Sequence, residues 1–311
     1  MKVLVVGYGE HTKRRIIPAL EKINSINQIH ILSERNLTEI ENSKIKLMKY
    51  EQLETSNADF ELIIISHYPI KHLELFKQVK NLGNKFIIEK PITSDLNRFL
   101  NNDEDEIFYN KIVYESNAFM YHPIYKEVKK IIKQNKVLKI VSSFEIPQLT
   151  KSNYRYKKNL GGSSILDQGI YPISMIINLF NKKIELETFK ILFEKKLDID
   201  TSGFLKAITK DNIKIELTWG LNLKYKNELR IYCEDKEFYF PFIFSKPENL
   251  ESTYLEFKNN VESKFTIGCF DQFQLMYEKV LNKNKFNSIS ELKKLKYKYK
   301  LIKEIIDSIE K

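Results

Sequence analysis

Met1-Lys2-Val3-Leu4-Val5-Val6-Gly7-Tyr8-Gly9-Glu10-His11-Thr12 opens the chain. Val3 to Val6 make an unbroken apolar run, as a strand buried on both faces requires. Two glycines follow, then Ile16, Ile17, Ala19 and Leu20 at helical spacing. Strand, glycine turn and helix is the context in which backbone N–H groups at a helix N-terminus cradle a dinucleotide pyrophosphate. Gly7 permits the tight turn and Gly9 lets the backbone approach the phosphates. The third position of the G-x-G-x-x-G pattern is Thr12, where glycine or alanine allows close helix packing, so a looser helix is expected. Two glycines alone are weak evidence, and a turn with no ligand is the lesser alternative in this context.

Ile29 to Leu32 form the next apolar stretch and end at Ser33-Glu34-Arg35. An acid at this point hydrogen-bonds an adenosine ribose diol, while a nearby arginine suits a 2′-phosphate. Glu34 leans toward NAD, and Ser33 and Arg35 keep NADP open. Leu62 to Ile65 is another buried strand, followed by Ser66-His67-Tyr68-Pro69-Ile70-Lys71-His72 and a helix. His67 and His72 lack an acidic partner at metal spacing, so both are expected to cap locally or pack at the cofactor edge, and no metal site is expected. Phe86-Ile87-Ile88 then runs into Glu89-Lys90-Pro91, and the proline cannot continue a central strand. Lys90 is thus delivered to the carboxyl end of a strand, the edge at which open α/β sheets hold ligands. In a chain with 51 Lys+Arg, a lysine there is by itself more often a solvated loop residue.

Strands alternating with helices over short turns make right-handed βαβ units and a parallel sheet. After a further strand at residues 111–118 and a helix at 124–134 the pattern changes. Segments at 138–146, 187–193, 202–209, 213–219, 227–233 and 237–242 follow one another with few helices between, which argues an antiparallel sheet. The boundary is expected near residue 120, with domains 1–120 and 121–311. The fold class expected is α/β: an N-terminal Rossmann doubly wound parallel sheet plus a C-terminal α+β domain with a mostly antiparallel open sheet. Between the second sheet's first strand and the rest lie Asn153-Tyr154-Arg155-Tyr156 and Gly161-Gly162-Ser163-Ser164-Ile165-Leu166-Asp167-Gln168-Gly169-Ile170-Tyr171. Asp167 and Tyr171 are four apart, on one face if the segment is helical.

Composition narrows the classes. The 311 residues exceed one comfortable core, and the 42% hydrophobic content can fill two. Nine Gly and eight Pro argue against low complexity. Cys233 and Cys269 make no CxxC pair and no disulfide framework, which suits a reducing compartment. The opening strand leaves no room for a signal peptide, and no apolar run approaches membrane-spanning length, so a cytoplasmic protein without membrane association is expected. The net charge of +10 is scattered rather than clustered, which disfavours nucleic acid and favours a phosphorylated or nucleotide-linked substrate.

Taken together, Gly7-x-Gly9, Pro18-Ala19-Leu20, Ser66 to His72, Glu89-Lys90-Pro91, Ala118-Phe119-Met120-Tyr121-His122-Pro123 and Gly161-Gly162 through Asp167-x-Gly169-x-Tyr171 resemble the glucose-fructose oxidoreductase and inositol dehydrogenase (Gfo/Idh/MocA) family. The resemblance implies a Rossmann domain binding NAD or NADP, a second domain that binds substrate and builds homo-oligomer contacts, and Lys90 in the active site. Tyr171, where many members have histidine, is similar to members acting on sugars and dihydrodiols, including the 3-ketoreductases of deoxysugar biosynthesis. The chain departs from the family pattern at Thr12, Asn117 and Ser163-Ser164.

Ketone reduction needs hydride at carbon, a proton for the developing alkoxide and positive charge to stabilise it. A phenol, with a pKa near about 10, needs a neighbouring cation to relay that proton at neutral pH. The residues expected to be catalytic are therefore Tyr171, Lys90 and Asp167. Either Tyr171 or Lys90 donates the proton, and Asp167 holds the lysine charged or orients substrate hydroxyls. The cofactor-binding set expected is Gly7, Tyr8, Gly9, Glu10, His11, Thr12, Ser33, Glu34, Arg35, Ser66, His67, His72, Glu89 and Lys90. The function expected is NAD(P)-dependent hydride transfer with a sugar, foremost as a ketoreductase on a nucleotide-activated sugar. The alternatives are a dehydrogenase of a free sugar, inositol or trans-dihydrodiol, and a cofactor-binding sensor without turnover.

Overall fold

A computed structural model describes residues 1–34, 42–53, 59–101, 108–180, 184–283 and 288–308. The chain divides into two compact units, Met1–Ser116 with Phe273–Lys296, and Asn117–Gln272 with Tyr297–Lys311. In the first, strands β1 (Lys2–Val6), β2 (Gln28–Leu32), β3 (Ile45–Met48), β4 (Leu62–Ile65), β5 (Lys85–Glu89) and β6 (Ile112–Ser116) form a parallel sheet in the order β3-β2-β1-β4-β5-β6. Val3 to Val6, Leu62 to Ile65 and Phe86 to Ile88 are fully buried, which is why these strands are continuous apolar runs. Helices α1 (Ile17–Glu21), α2 (His72–Val79) and α3 (Leu96–Leu100) follow β1, β4 and β5.

From β1 the order runs outward to β3, and from β4 outward to β6. The loops after β1 and β4 therefore diverge, and a crevice opens at the carboxyl edge between them, the switch point of a doubly wound sheet. The chain also returns to this unit after the single boundary expected near residue 120. Phe273, Met276, Tyr277 and Val280 of α6 (Gln272–Leu281) are buried, Phe273 packs its ring edge-on to His11 at 5.3 Å, and Lys85 Nζ donates to the Leu281 carbonyl at 2.5 Å.

The second unit carries an eight-stranded sheet. Its strands are β7 (Val137–Glu145), β8 (Ile184–Glu194), β9 (Ile199–Thr209), β10 (Lys214–Gly220), β11 (Lys226–Cys233), β12 (Glu237–Pro241), β13 (Ser252–Lys258) and β14 (Val261–Gly268), in the order β14-β13-β12-β11-β7-β10-β9-β8. Only the β7–β10 pair is parallel, so the sheet is mostly antiparallel. Helix α4 (Pro123–Gln134) precedes it, and α5 (Ile170–Phe180) is apolar almost all round, with Ile170 and residues 172–177 buried. A last helix, α7 (Ser288–Asp307), ties Tyr297 to the amide of Ile184 at 2.9 Å.

Candidate active site

In the first unit the glycine loop is built by close contact. Gly7 has φ +101°, and a Cβ there would stand 2.1 Å from the Ser66 carbonyl oxygen, so only glycine fits. Thr12 is fully buried, donates its hydroxyl to the Gly7 carbonyl at 3.2 Å and lies 3.0 Å from the Ser66 hydroxyl. The bulkier third position is thus absorbed by hydrogen bonding, and the helix begins as a wide π turn over Thr12–Ile16, in which the Ile17 amide donates to the Thr12 carbonyl. A Cβ on Gly9 would meet nothing within 4 Å, so the space above the loop is open to a diphosphate.

Lys13 reaches over the Tyr8 ring at 5.1 Å and pairs with exposed Glu10 at 3.7 Å. His11 Nε2 lies 3.4 Å from Glu89 Oε1. Burial alone would raise the Glu89 carboxyl, but the His11 ring, the Ser116 hydroxyl and the Lys90 charge outweigh it and hold the group below the usual carboxylate range. Ser33 and exposed Glu34 follow β2, and Arg35 lies outside the described residues. Tyr50 is pushed up to about 12, first by burial and then by the Glu34 charge. His67 meets the Tyr68 ring edge-on at 5.1 Å. His72, expected to cap locally or to pack at the cofactor edge, is completely buried, with both ring nitrogens on backbone carbonyls. Lys90 leaves the end of β5 half-buried, and its peptide to Pro91 is cis.

In the second unit, Asp167 and Tyr171 sit where a wide π turn over Ile165–Gly169 enters α5. Buried Asp200 of β9 anchors that turn, accepting from the Ser164 hydroxyl at 2.5 Å and the Ile165 amide at 2.8 Å. The departure from the family pattern at Ser164 is therefore matched by an acceptor. Gly169 packs tightly from below, since a Cβ there would stand 3.0 Å from the Trp219 indole and push it aside by a few tenths of an ångström.

Asp167 is buried and gripped by Arg155, whose Nε donates to Oδ2 while Nη2 donates to Oδ1 at 3.4 Å. Gln168 Nε2 donates to the same carboxylate. Burial would lower the Arg155 guanidinium, but Asp167 above all, with Tyr154 and Tyr171, raises it beyond its ordinary value. Arg155 lies in the second unit's candidate site although the sequence reading left it out of the catalytic set. Its signal was the Tyr154-Arg155-Tyr156 cluster just before the glycine pair. The Tyr171 ring packs against Phe144 at 4.7 Å, Phe244 at 5.6 Å and Phe119 at 5.9 Å, so the Ala-Phe-Met-Tyr stretch contributes one wall of the tyrosine's cage. Among the described residues no group of three or more His, Cys, Asp or Glu could hold a metal, and no helix is long and apolar enough to cross a membrane.

No protein-family model matches the chain. It is 22% identical over 287 residues to a dTDP-3,4-didehydro-2,6-dideoxy-alpha-D-glucose 3-reductase of Actinomadura kijaniata, covering 88% of this chain and 84% of the relative. It is 23% identical over 284 residues to the enzyme of that name from Saccharopolyspora spinosa, with the same coverage, 88% and 84%. Among solved structures it resembles a 3-ketoreductase from Actinomadura kijaniata in complex with NADP and TDP-benzene, with a TM-score of 0.82 at 20% identity over 95% of this chain and 94% of that one. It also resembles an aldose-aldose oxidoreductase from Caulobacter crescentus complexed with glycerol, with a TM-score of 0.81 at 11% identity over 99% and 96% of the two chains. At these identities the structural likenesses establish the fold: a parallel Rossmann-like sheet and a separate, mostly antiparallel eight-stranded sheet.

Proposed function

We propose that this chain is an NADP- or NAD-dependent oxidoreductase of the Gfo/Idh/MocA kind that reduces a keto group on a nucleotide-activated sugar. The observation that carries the reading is Lys90, delivered by β5 to the sheet edge where Gly7 and Ser66 form the cofactor-type turn. The curated relatives, which bear the names of dTDP-sugar 3-reductases over most of the chain, support the substrate class.

The open cradle over Gly9 and the glycine-only turn at Gly7 fit a dinucleotide diphosphate. Residues 7–12, Ser33 and Glu34 would hold the cofactor, which when bound supplies a hydride to the substrate carbon. In this reading the first unit binds the dinucleotide and the second the sugar. Tyr171 gives its phenolic proton to the developing alkoxide, and Lys90 supplies the positive charge that stabilises it. Asp167, already balanced by Arg155, orients a substrate hydroxyl rather than serving as the lysine's counter-ion. The exposed apolar side chains Leu192, Phe193, Val261 and Phe265 on β8 and β14 support a homo-oligomer. The free thiols Cys233 and Cys269 suit a cytoplasmic setting.

The test is a turnover screen with NADPH and NADH against dTDP-linked 3-keto sugars, free aldoses, inositol and a trans-dihydrodiol. Reduction of the nucleotide-linked ketone, with the free compounds at least about tenfold slower in kcat/KM, supports the reading. Turnover of free sugars alone moves the protein to the dehydrogenase alternative, and cofactor binding without any turnover makes it a sensor.

A further inference from the structure

The turn that carries Lys90 is held from two sides by buried side chains. Pro91 and Ile92 lie just past the end of β5 at Glu89, so the carbonyl of one and the amide of the other fall beyond that strand. The Pro91 carbonyl meets His72 Nδ1 at 2.8 Å, and the Ile92 amide donates to Glu115 Oε1 at 3.2 Å. His72 and Glu115 are both buried, the first completely.

His72 does a second thing from the same ring. Its Nε2 lies 2.9 Å from the His67 carbonyl, in the loop after β4. The preceding carbonyl in that loop, Ser66, is the one that Gly7 must be glycine to approach. The loops after β1, β4 and β5 are thus joined in series: Gly7 on Ser66, His67 on His72, His72 on Pro91. Carbonyls only accept, so a neutral ring donates to one of the two and packs against the other, and only a protonated ring donates to both. Burial drives the His72 pKa down, only partly offset by the two carbonyls and by Glu89, and the net is below the ordinary histidine value.

We propose that His72 is a positioning residue for the reaction, which locks the Lys90-Pro91 turn to the loop after β4 and so sets the direction in which Lys90 leaves the sheet. With no exposed surface it has no face to offer a ligand, and its effect passes through Lys90. Glu115 completes the clamp from the other side. The inference rests on the reading of Lys90 as an active-site group. A misplacement of about 1 Å at such a group costs on the order of a hundredfold in rate.

The experiment pairs His72→Phe, which fills the space without a donor, with His72→Gln, which keeps one. Steady-state kinetics with NADPH and the dTDP-linked keto sugar should show kcat down by about tenfold or more for His72→Phe, with KM and the cofactor Kd within about threefold, and most of the rate restored in His72→Gln. In a Lys90→Ala background, His72→Phe should cost nothing further, because its effect runs through the lysine. Hydrogen–deuterium exchange over residues 90–93 should be faster in His72→Phe, at unchanged exchange in β1. Unchanged kcat, a multiplicative loss in the Lys90→Ala background, or unchanged exchange at 90–93 overturns the proposal. If His72→Phe fails to fold, His72→Asn, whose shorter side chain cannot span both carbonyls, is read by the same kinetic and exchange criteria. Should Lys90→Ala itself turn over at the wild-type rate, the proposed function falls, while the exchange comparison still decides whether His72 holds the turn.

Discussion

Arg155 grips Asp167 in a two-pronged ion pair, Nε to one carboxylate oxygen and Nη2 to the other at 3.4 Å. Asp167 is buried while the Arg155 side chain keeps 28% exposure, so the acid depends on the base more than the reverse. Arg155→Met should therefore destabilise the protein by about 3 kcal/mol in urea titration, because a buried carboxylate loses its cation. Arg155→Lys should recover little, since an ammonium cannot make the paired contact. The double variant Arg155→Met with Asp167→Asn should regain part of the loss, and additive losses would show that the pair is not coupled.

Gly7 and Gly9 separate folding from binding. Gly7→Ala forces a Cβ into the Ser66 carbonyl at a positive φ, and should lower stability by at least about 2 kcal/mol or abolish folding. Gly9→Ala meets empty space, so melting should move by less than about 0.5 kcal/mol while cofactor Kd, read by fluorescence titration, rises about tenfold or more. An unchanged Kd in Gly9→Ala would remove the loop from the cofactor site.

The Tyr171 ring is held by Phe119, Phe144 and Phe244, so Tyr171→Phe keeps the packing and removes only the hydroxyl. Thermal melting should change by no more than about 1 kcal/mol, the size of one hydrogen bond, cofactor binding should be retained, and kcat should fall by roughly 10² or more, the usual size of a general-acid contribution. Full turnover in the Phe variant would end the assignment of Tyr171 as proton donor.

The sequence showed the buried parallel strands and the glycine turn because continuous apolar runs and a strand–glycine–helix order have few other uses. It showed less at the sheet margins. The β13–β14 hairpin, which alternates polar with aromatic residues, is not among the strands expected, although Asn259 and Asn260, at φ 51° and 62°, are the left-handed pair that a tight hairpin turn demands. Strand β3 was missed because Lys46 and Leu47 are exposed on an edge. In the site, Lys90, Asp167 and Tyr171 were legible as residue types in motifs. Arg155 was legible only as a weaker substrate-contact candidate beside the glycine pair, since only three-dimensional packing decides which of many basic residues meets a buried acid. His72 was visible as a histidine, but its burial and its two carbonyl contacts depend on loops brought together by the sheet.

A pH dependence follows from the buried His122 in the second unit. Its Nδ1 accepts the Ile124 amide at 3.1 Å, which leaves the ring proton on Nε2, 3.2 Å from the Ser252 hydroxyl that Lys246 reaches at 2.7 Å. Burial first, and the Lys246 charge second, push the His122 pKa down to about 3. An unfolded histidine takes up a proton near about 6.5, so between pH 6.5 and 3 the unfolded chain binds a proton that the native one refuses, and stability is lost as pH falls. The contribution by pH 4 is about 3 kcal/mol. His122→Asn, which can still accept the Ile124 amide, should lose less stability between pH 7 and 4 than the wild type, whereas parallel losses would contradict the assignment.

The measurement that bears most directly on the central claim is deuterium transfer. NADPH carrying deuterium at both positions of nicotinamide C4 is mixed with the protein and a dTDP-linked 3-keto sugar, and the sugar nucleotide is analysed by mass spectrometry and NMR. The account predicts one carbon-bound deuterium in the product, at the carbon that bore the keto group, with an equal amount of oxidised cofactor. Oxidation of cofactor without deuterium at that carbon, or no reaction by a protein that binds both compounds, would contradict it.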